Sequence, residues 1–298
     1  MQLGLACAWA IAVSAVAGCG TRGRAPAVAP PADAASGVDA RGAVLPPLDL
    51  AALAQAAGVA PGDACVVVDG PAGVVRSDAA CGQVRLRPAS TFKIANTVIG
   101  AEAGLLTTPD SRLRYDPVRY PPDTISNPAW RHDQSVRDAL KVSAVPLFRL
   151  LAIEIGAPRM TAALRAFGYG NASIDGGLDQ FWLTGALAIS ADEQVDFLRR
   201  LRAGELPVAA ASAALVVEAV PRQVAGAATL RWKTGTGEID GERQVGWLVG
   251  WVDRPDGVHT FACWIRLTTH GFARTAAARL AVCRGALAGL GLFPLDPA

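Results

Sequence analysis

Lysine is nearly missing from this chain. Of its 28 basic residues only Lys93, Lys141 and Lys233 are lysine, and the rest are arginine. Lysine at those positions therefore suggests chemistry that arginine cannot perform. Histidine is just as scarce: there are three, scattered, and no CxxC or HxxxH spacing occurs. That excludes the usual ligand patterns of a structural metal, and the expectation is no metal. Charge of one sign is also lacking. The net charge is +2 and no basic run exceeds a few residues, so nothing forms a nucleic-acid footprint. No internal repeat at solenoid or propeller periods is found.

Apolar material is plentiful, 51% of the 298 residues, enough for one large domain or two small ones. The uncharged stretch "MQLGLACAWAIAVSAVAG" (1–18) reads as a secretory h-region followed by small residues. It is at the short end of the ~20 residues a spanning helix needs and lacks flanking charge, which argues against a transmembrane segment. "VAGC" (Val16–Cys19) resembles the bacterial lipobox, which implies an exported, periplasmic protein tethered to a membrane through lipidated Cys19. The other reading is an ordinary signal cleaved near Ala17 or Gly18. A basic n-region is missing, which leaves the true start codon open. Residues 20–47 are Ala, Pro and Gly with almost no large apolar side chain, a composition that reads as a disordered tether. The folded body is expected over 48–298.

Export frames the cysteines. Cys65 and Cys81 flank an apparent hairpin whose DGPAG turn brings its ends together, so an oxidising compartment favours their disulfide. Cys263 and Cys283 either pair or lie as buried thiols, the commoner fate.

A hairpin at about 64–76 is followed by a long, mostly helical middle from Ser90 to about Ala219. Strands are expected at roughly 229–234, 244–253 and 258–267, the last two joined by the turn "RPDG", and an alanine-rich helix at about 272–290. The fold class is therefore α+β. One antiparallel sheet takes strands from both ends of the body, flanked by helices (a lobe of about 48–87 and 222–298), with an inserted helical lobe at about 88–221. A cleft between lobes is a usual place for a site.

Within "RPASTFKIAN" (87–96), Pro88 and Ser90 fit helix-start rules, and residues three apart share a helix face. A serine hydroxyl is a poor nucleophile unless a neighbouring base takes its proton. A lysine can be that base if apolar neighbours such as Phe92, Ile94, Val98 and Ile99 strip its charge, whereas arginine stays charged. Taken alone, the pair reads better as an N-capping serine and a surface lysine. "WKTGTG" (232–237) changes the balance: a lysine followed by small residues that allow close backbone approach, about 140 positions downstream. SxxK followed by KTG is the acyl-transfer signature of penicillin-binding proteins and serine β-lactamases.

With "STFK", "KVSAVP" (141–146), "YGN" (169–171), "FWL" (181–183) and "VGWLVGW" (245–251) in this order, the chain from about 85 to 285 resembles the class D serine β-lactamases, the oxacillinases. The resemblance implies hydrolysis of β-lactam antibiotics, and hence antibiotic resistance, through an acyl-enzyme on Ser90. It implies no cofactor beyond carbon dioxide or bicarbonate, which makes Lys93 an N-carboxylated general base held by the indole N–H of Trp182. Ser143 would relay a proton toward the lactam nitrogen, with the positive charge of Lys233 beside it. Backbone N–H groups of Ser90 and Thr236 would form the oxyanion hole. Arg274, in "GFARTA", stands where the family places its carboxylate-binding arginine, with Thr234 and Gly235 helping; Arg266 and Arg279 are nearby. Val145 and Leu183 match apolar residues that cover the modified lysine. Lys141, at the end of "RDALK", reads as a surface residue. Partners are small-molecule β-lactams, for a monomer or homodimer. The rival readings are a penicillin-binding sensor domain or a D,D-peptidase, each acylated without efficient turnover.

Overall fold

The computed structural model describes residues 48–268 and 271–295; the leader, Cys19 and the Ala/Pro-rich stretch up to residue 47 lie outside the described residues. Helix α1 (Leu50–Ala56) leads into the hairpin of β1 (Ala64–Gly70) and β2 (Gly73–Arg76), then α2 (Ala79–Gln83). A 3-10 turn, Ala89–Phe92, runs directly into α3 (Lys93–Glu102). The middle continues with β3 (Arg112–Leu113), β4 (Gln134–Ser135), α4 (Val136–Val142), α5 (Val145–Ile155), α6 (Ala157–Phe167), α7 (Ala191–Ala203) and α8 (Ala210–Ala219). The last segment holds β5 (Arg222–Ala225), β6 (Ala228–Glu238), β7 (Arg243–Arg254), β8 (Gly257–Thr268) and α9 (Phe272–Gly289).

The strands form one six-stranded sheet in the order β2-β1-β8-β7-β6-β5, every pair antiparallel. The α+β arrangement expected from the sequence is the observed one, with first and last segments sharing the sheet. The pattern understated the strand content. The small β3–β4 ladder sits inside the helical middle, β5 precedes the first expected strand, and β6 runs on to Glu238. That extension results from pairing: Thr236 and Gly237 stand opposite Gly246 and Val245 of β7, so the ladder carries the KTG segment along.

Strand alternation sends side chains to opposite faces. Cys65, Val67, Trp247, Val249, Trp251, Ala262 and Trp264 join a large core with α3 to α8 on one face. Val66, Val68, Leu248, Val252, Phe261, Cys263 and Ile265 pack against α1 and α9 on the other. Two disulfides obey the same division. Cys65 of β1 is bonded to Cys81 of α2, and Cys263 of β8 to Cys283 of α9. The second bond answers what the sequence left open: both cysteines face the same side of the sheet and share its core.

Helix α9 also comes close because Gly246 has no side chain. A Cβ there would stand 3.1 Å from side-chain atoms of both Thr275 and Arg279. The Cys263–Cys283 bond closes a sequence separation of 20 residues. Replacing both cysteines by alanine should lower stability by about 3 kcal/mol, chiefly by freeing the unfolded chain. A urea denaturation midpoint unchanged from the wild type would count against an anchoring role for this bond.

Candidate active site

Ser90 lies in the 3-10 turn, not in the first turn of an α-helix. In a 3-10 turn residues three apart eclipse one another. Nζ of Lys93 therefore reaches to 2.6 Å from Oγ of Ser90. Among the described residues no side chain caps either the turn or α3, so Ser90 is not an N-cap. Its predecessor Ala89 holds φ 47°, a left-handed conformation that alanine avoids.

Lys93 is the first residue of α3, and every residue from there to Gly100 is buried. Its side chain is 0% exposed, and the Phe148 ring centroid lies 5.6 Å from Nζ. Burial pushes the amine well below the ordinary lysine range, and the charge of Lys233 pushes in the same direction. The positive end of the helix dipole also disfavours a cation at this position.

Ser143 follows α4 in a left-handed conformation, φ 59° and ψ 44°, where glycine or asparagine is usual. The turn is held by Ala144 N–H donating to Ala139 O at 2.9 Å and by Trp130 Nε1–H donating to Val142 O at 2.9 Å. So fixed, Ser143 Oγ accepts from Lys233 Nζ at 3.1 Å. Lys233 is 2% exposed and also donates to Thr234 O at 3.0 Å. Burial, then the nearby Arg279 charge, lowers its pKa to about 7.

β5 covers β6 only from Ala228 to Arg231. Among the described residues no strand pairs with that side of β6 beyond this point, and the free edge runs beside the turn carrying Ser90. Gly235 makes the approach possible: a Cβ there would stand 2.8 Å from Pro88 O and 3.2 Å from Thr91 N. Thr236, the next residue, accepts at Oγ1 from Arg279 Nη1 at 2.8 Å, and Gly235 O accepts from the same nitrogen at 3.3 Å.

Arg279, and not the Arg274 that the resemblance pointed to, is thus the arginine brought against the KTG segment. Arg274 is exposed, and its guanidinium stands near Gly58, on the α1 side of the molecule. The reason is helical phase. Thr275 and Arg279, four apart, share the face of α9 turned to Gly246, whereas Arg274 is five residues from Arg279 and off that stripe. Arg279 is 6% exposed and burial lowers it to about 10, so it keeps its charge at neutral pH. Arg266 is paired with Asp63.

Trp182 is fully buried, its ring 5.2 Å from that of Phe92, and its Nε1–H has no acceptor among the described residues. Val145 begins α5 half-buried, and half-buried Leu183 packs on the large core. Thr234 lines a cleft of about 570 Å³ with Trp232, Leu248, Leu280 and Arg284. Lys141 is exposed. The sequence did not single out Phe148 or Trp130, and it named Arg279 only as a neighbour of Arg274. Trp130 and Phe148 look like ordinary core aromatics, and only the helical phase against Gly246 distinguishes Arg279.

Because the Lys233 pKa is lowered in the folded state from 10.5 to about 7, the unfolded chain binds more protons between those values. Stability is therefore lost as pH falls from about 10.5 to about 7 and levels off below. Lys233→Leu should melt above the wild type at pH 7, with the difference shrinking as pH approaches about 10. A pH-independent difference would refute the burial penalty.

Comparison with known proteins agrees with this geometry. Residues 75–281 match the penicillin binding protein transpeptidase domain family. The chain is 39% identical over 177 residues to beta-lactamase OXA-10 of Pseudomonas aeruginosa, covering 59% of this chain and 65% of that protein, a little under two thirds of its length. It is 34% identical over 214 residues to beta-lactamase OXA-3 of the same organism, covering 72% of this chain and 74% of that one. Among solved structures, the class D beta-lactamase YbXI from Nostoc superposes with a TM-score of 0.74 at 30% identity, over 83% of this chain and 100% of the other. Sequence order, sheet topology and these relatives agree: the chain belongs to the class D serine β-lactamase family.

Proposed function

We propose that this protein opens the ring of β-lactam antibiotics through an acyl-enzyme on Ser90 and then hydrolyses that ester. One observation carries the reading: the Ser90 hydroxyl stands 2.6 Å from an amine whose fully buried surroundings disfavour its charged form. A neutral amine can take the hydroxyl proton, and the freed oxygen attacks the lactam carbonyl carbon. Backbone N–H groups of Ser90 and Thr236 hold the developing oxyanion. The carbonyl–nitrogen bond then breaks, and the ring nitrogen takes a proton through Ser143, resupplied from Lys233. Near pH 7 Lys233 holds a proton part of the time, so it can both give and regain one. Between the halves the proton on Lys93 is passed on and Lys233 regains the one it gave, so both are restored; a water then gives a proton to the base at Lys93 and attacks the ester carbonyl. The acid leaves, and Oγ of Ser90 regains its proton.

Carbon dioxide, bound on the Lys93 amine, supplies a carboxylate that can take the same protons. The residues fit it: burial disfavours the charged form of the Lys93 amine, and the buried Trp182 Nε1–H is a donor without an acceptor among the described residues. Val145 and Leu183 are the apolar cover that limits water there. Arg279, with Thr236 and Thr234, binds the substrate carboxylate. The apolar leader, the lipobox-like Cys19 and two disulfides support export to the periplasm with a membrane anchor, residues 48–298 forming the catalytic body.

The deciding experiment is hydrolysis of a chromogenic cephalosporin with bicarbonate added and with carbon dioxide stripped out. Turnover should fall on stripping and return with bicarbonate, and Lys93→Arg should abolish it. A single stoichiometric burst without turnover, bicarbonate included, would instead identify a penicillin-binding sensor or peptidase. Arg279→Ala should raise KM for penicillins about tenfold to a hundredfold, the range for losing a charged hydrogen bond. Arg274→Ala should change it less than about twofold. The reverse pattern would return the carboxylate to Arg274.

A further inference from the structure

Three contacts join the residues flanking Ser90 to the start of α7. Arg85 pairs with Glu193, the capping-box residue of that helix. Leu86 and Ile189 exchange both backbone hydrogen bonds, each 2.9 Å. Deeper in, Gln194, 1% exposed, donates from Nε2 to Thr91 Oγ1 at 2.8 Å. Thr91, equally buried, donates its own hydroxyl proton to Pro88 O at 2.8 Å, and its backbone N–H reaches the same carbonyl at 3.2 Å. Tyr169, kept neutral because burial pushes its phenol up, faces Thr91 and Gln194.

The Pro88 carbonyl is important because it anchors the strained residue beside it. Ala89 holds φ 47°, where its Cβ crowds the backbone, so an unheld chain relaxes toward negative φ. Rotation at Ala89 turns the Ala89–Ser90 peptide and, with it, the Ser90 N–H. The threonine hydroxyl alone could donate elsewhere. With one lone pair occupied by Gln194, its proton is directed to Pro88 O.

We propose that Gln194, acting through Thr91, is a positioning residue for acyl transfer: it holds the Pro88 carbonyl, keeps Ala89 at positive φ, and so aims the Ser90 N–H and hydroxyl. This rests on Ser90 being the nucleophile.

The test is single-turnover acylation by a chromogenic cephalosporin, with the thermal midpoint measured alongside. Gln194→Leu keeps the volume and removes the donor; it should slow acylation about tenfold or more, the scale of a small misplacement at a reacting group. Thr91→Ser, which keeps the hydroxyl, should stay within about threefold of the wild type. Glycine adopts positive φ readily, so adding Ala89→Gly to Gln194→Leu should recover about threefold or more of the loss without restoring the midpoint. Wild-type acylation by Gln194→Leu, or a loss that Ala89→Gly leaves untouched, overturns the proposal. Should Gln194→Leu not fold, Thr91→Val against Thr91→Ser makes the same comparison, and equal rates overturn it. Ser90→Ala separates the two claims. An adduct formed without the hydroxyl removes the nucleophile assignment, whereas an inert Ser90→Ala beside an unimpaired Gln194→Leu removes only the positioning role.

Discussion

A buried amine with no counter-charge governs this structure. Neither Lys93 nor Lys233 has a carboxylate partner among the described residues. A buried unpaired ammonium carries a penalty of several kcal/mol, so such a group sheds its proton instead. The neutral nitrogen that results is the one a serine hydroxyl needs beside it. The apolar packing of α3 and the placement of Lys93 at a helix N-terminus both favour the same uncharged state.

Keeping that amine dry and aligned requires parts of the chain far apart in sequence. The 3-10 turn presents Ser90 and Lys93, the left-handed end of α4 presents Ser143, and the free edge of β6 presents Lys233 and Thr236. Each junction rests on a local steric permission. Gly235 lets the strand lie against Pro88 and Thr91, and Gly246 lets α9 carry Arg279 up to the KTG segment. The disulfides fasten the sheet to α2 on one face and to α9 on the other, beside elements that carry or adjoin the site.

Much of this is legible in the sequence itself. Two-residue alternation places the strands, and SxxK with KTG, on either side of a helical stretch, puts two of three lysines into one cleft. Contacts set by phase and depth are not legible. Arg274 and Arg279 look alike in an alanine-rich helix, and only the Thr275–Arg279 stripe facing Gly246 separates them. Cys263 and Cys283 could be thiols until alternation on β8 and the pitch of α9 are known together. Gln194 sits in an ordinary capped helix, and its link to Thr91 spans 103 residues of sequence. Sequence patterns report periodicity within an element and are silent about which faces meet across a core.

The scarcity of lysine finally has a physical reading. Three cations crowd this site, and burial separates them by pKa. Lys93 is pushed well below the ordinary lysine range, Lys233 is brought to about 7, and Arg279, lowered only to about 10, stays charged. Guanidinium could serve only the last of these states, because even this much burial leaves it protonated. The Arg279 charge is also part of what depresses Lys233. In the proposed reaction a substrate carboxylate resting on Arg279 offsets that charge and raises the proton occupancy of Lys233. The proton for the departing ring nitrogen thus becomes more available when a substrate is bound to receive it.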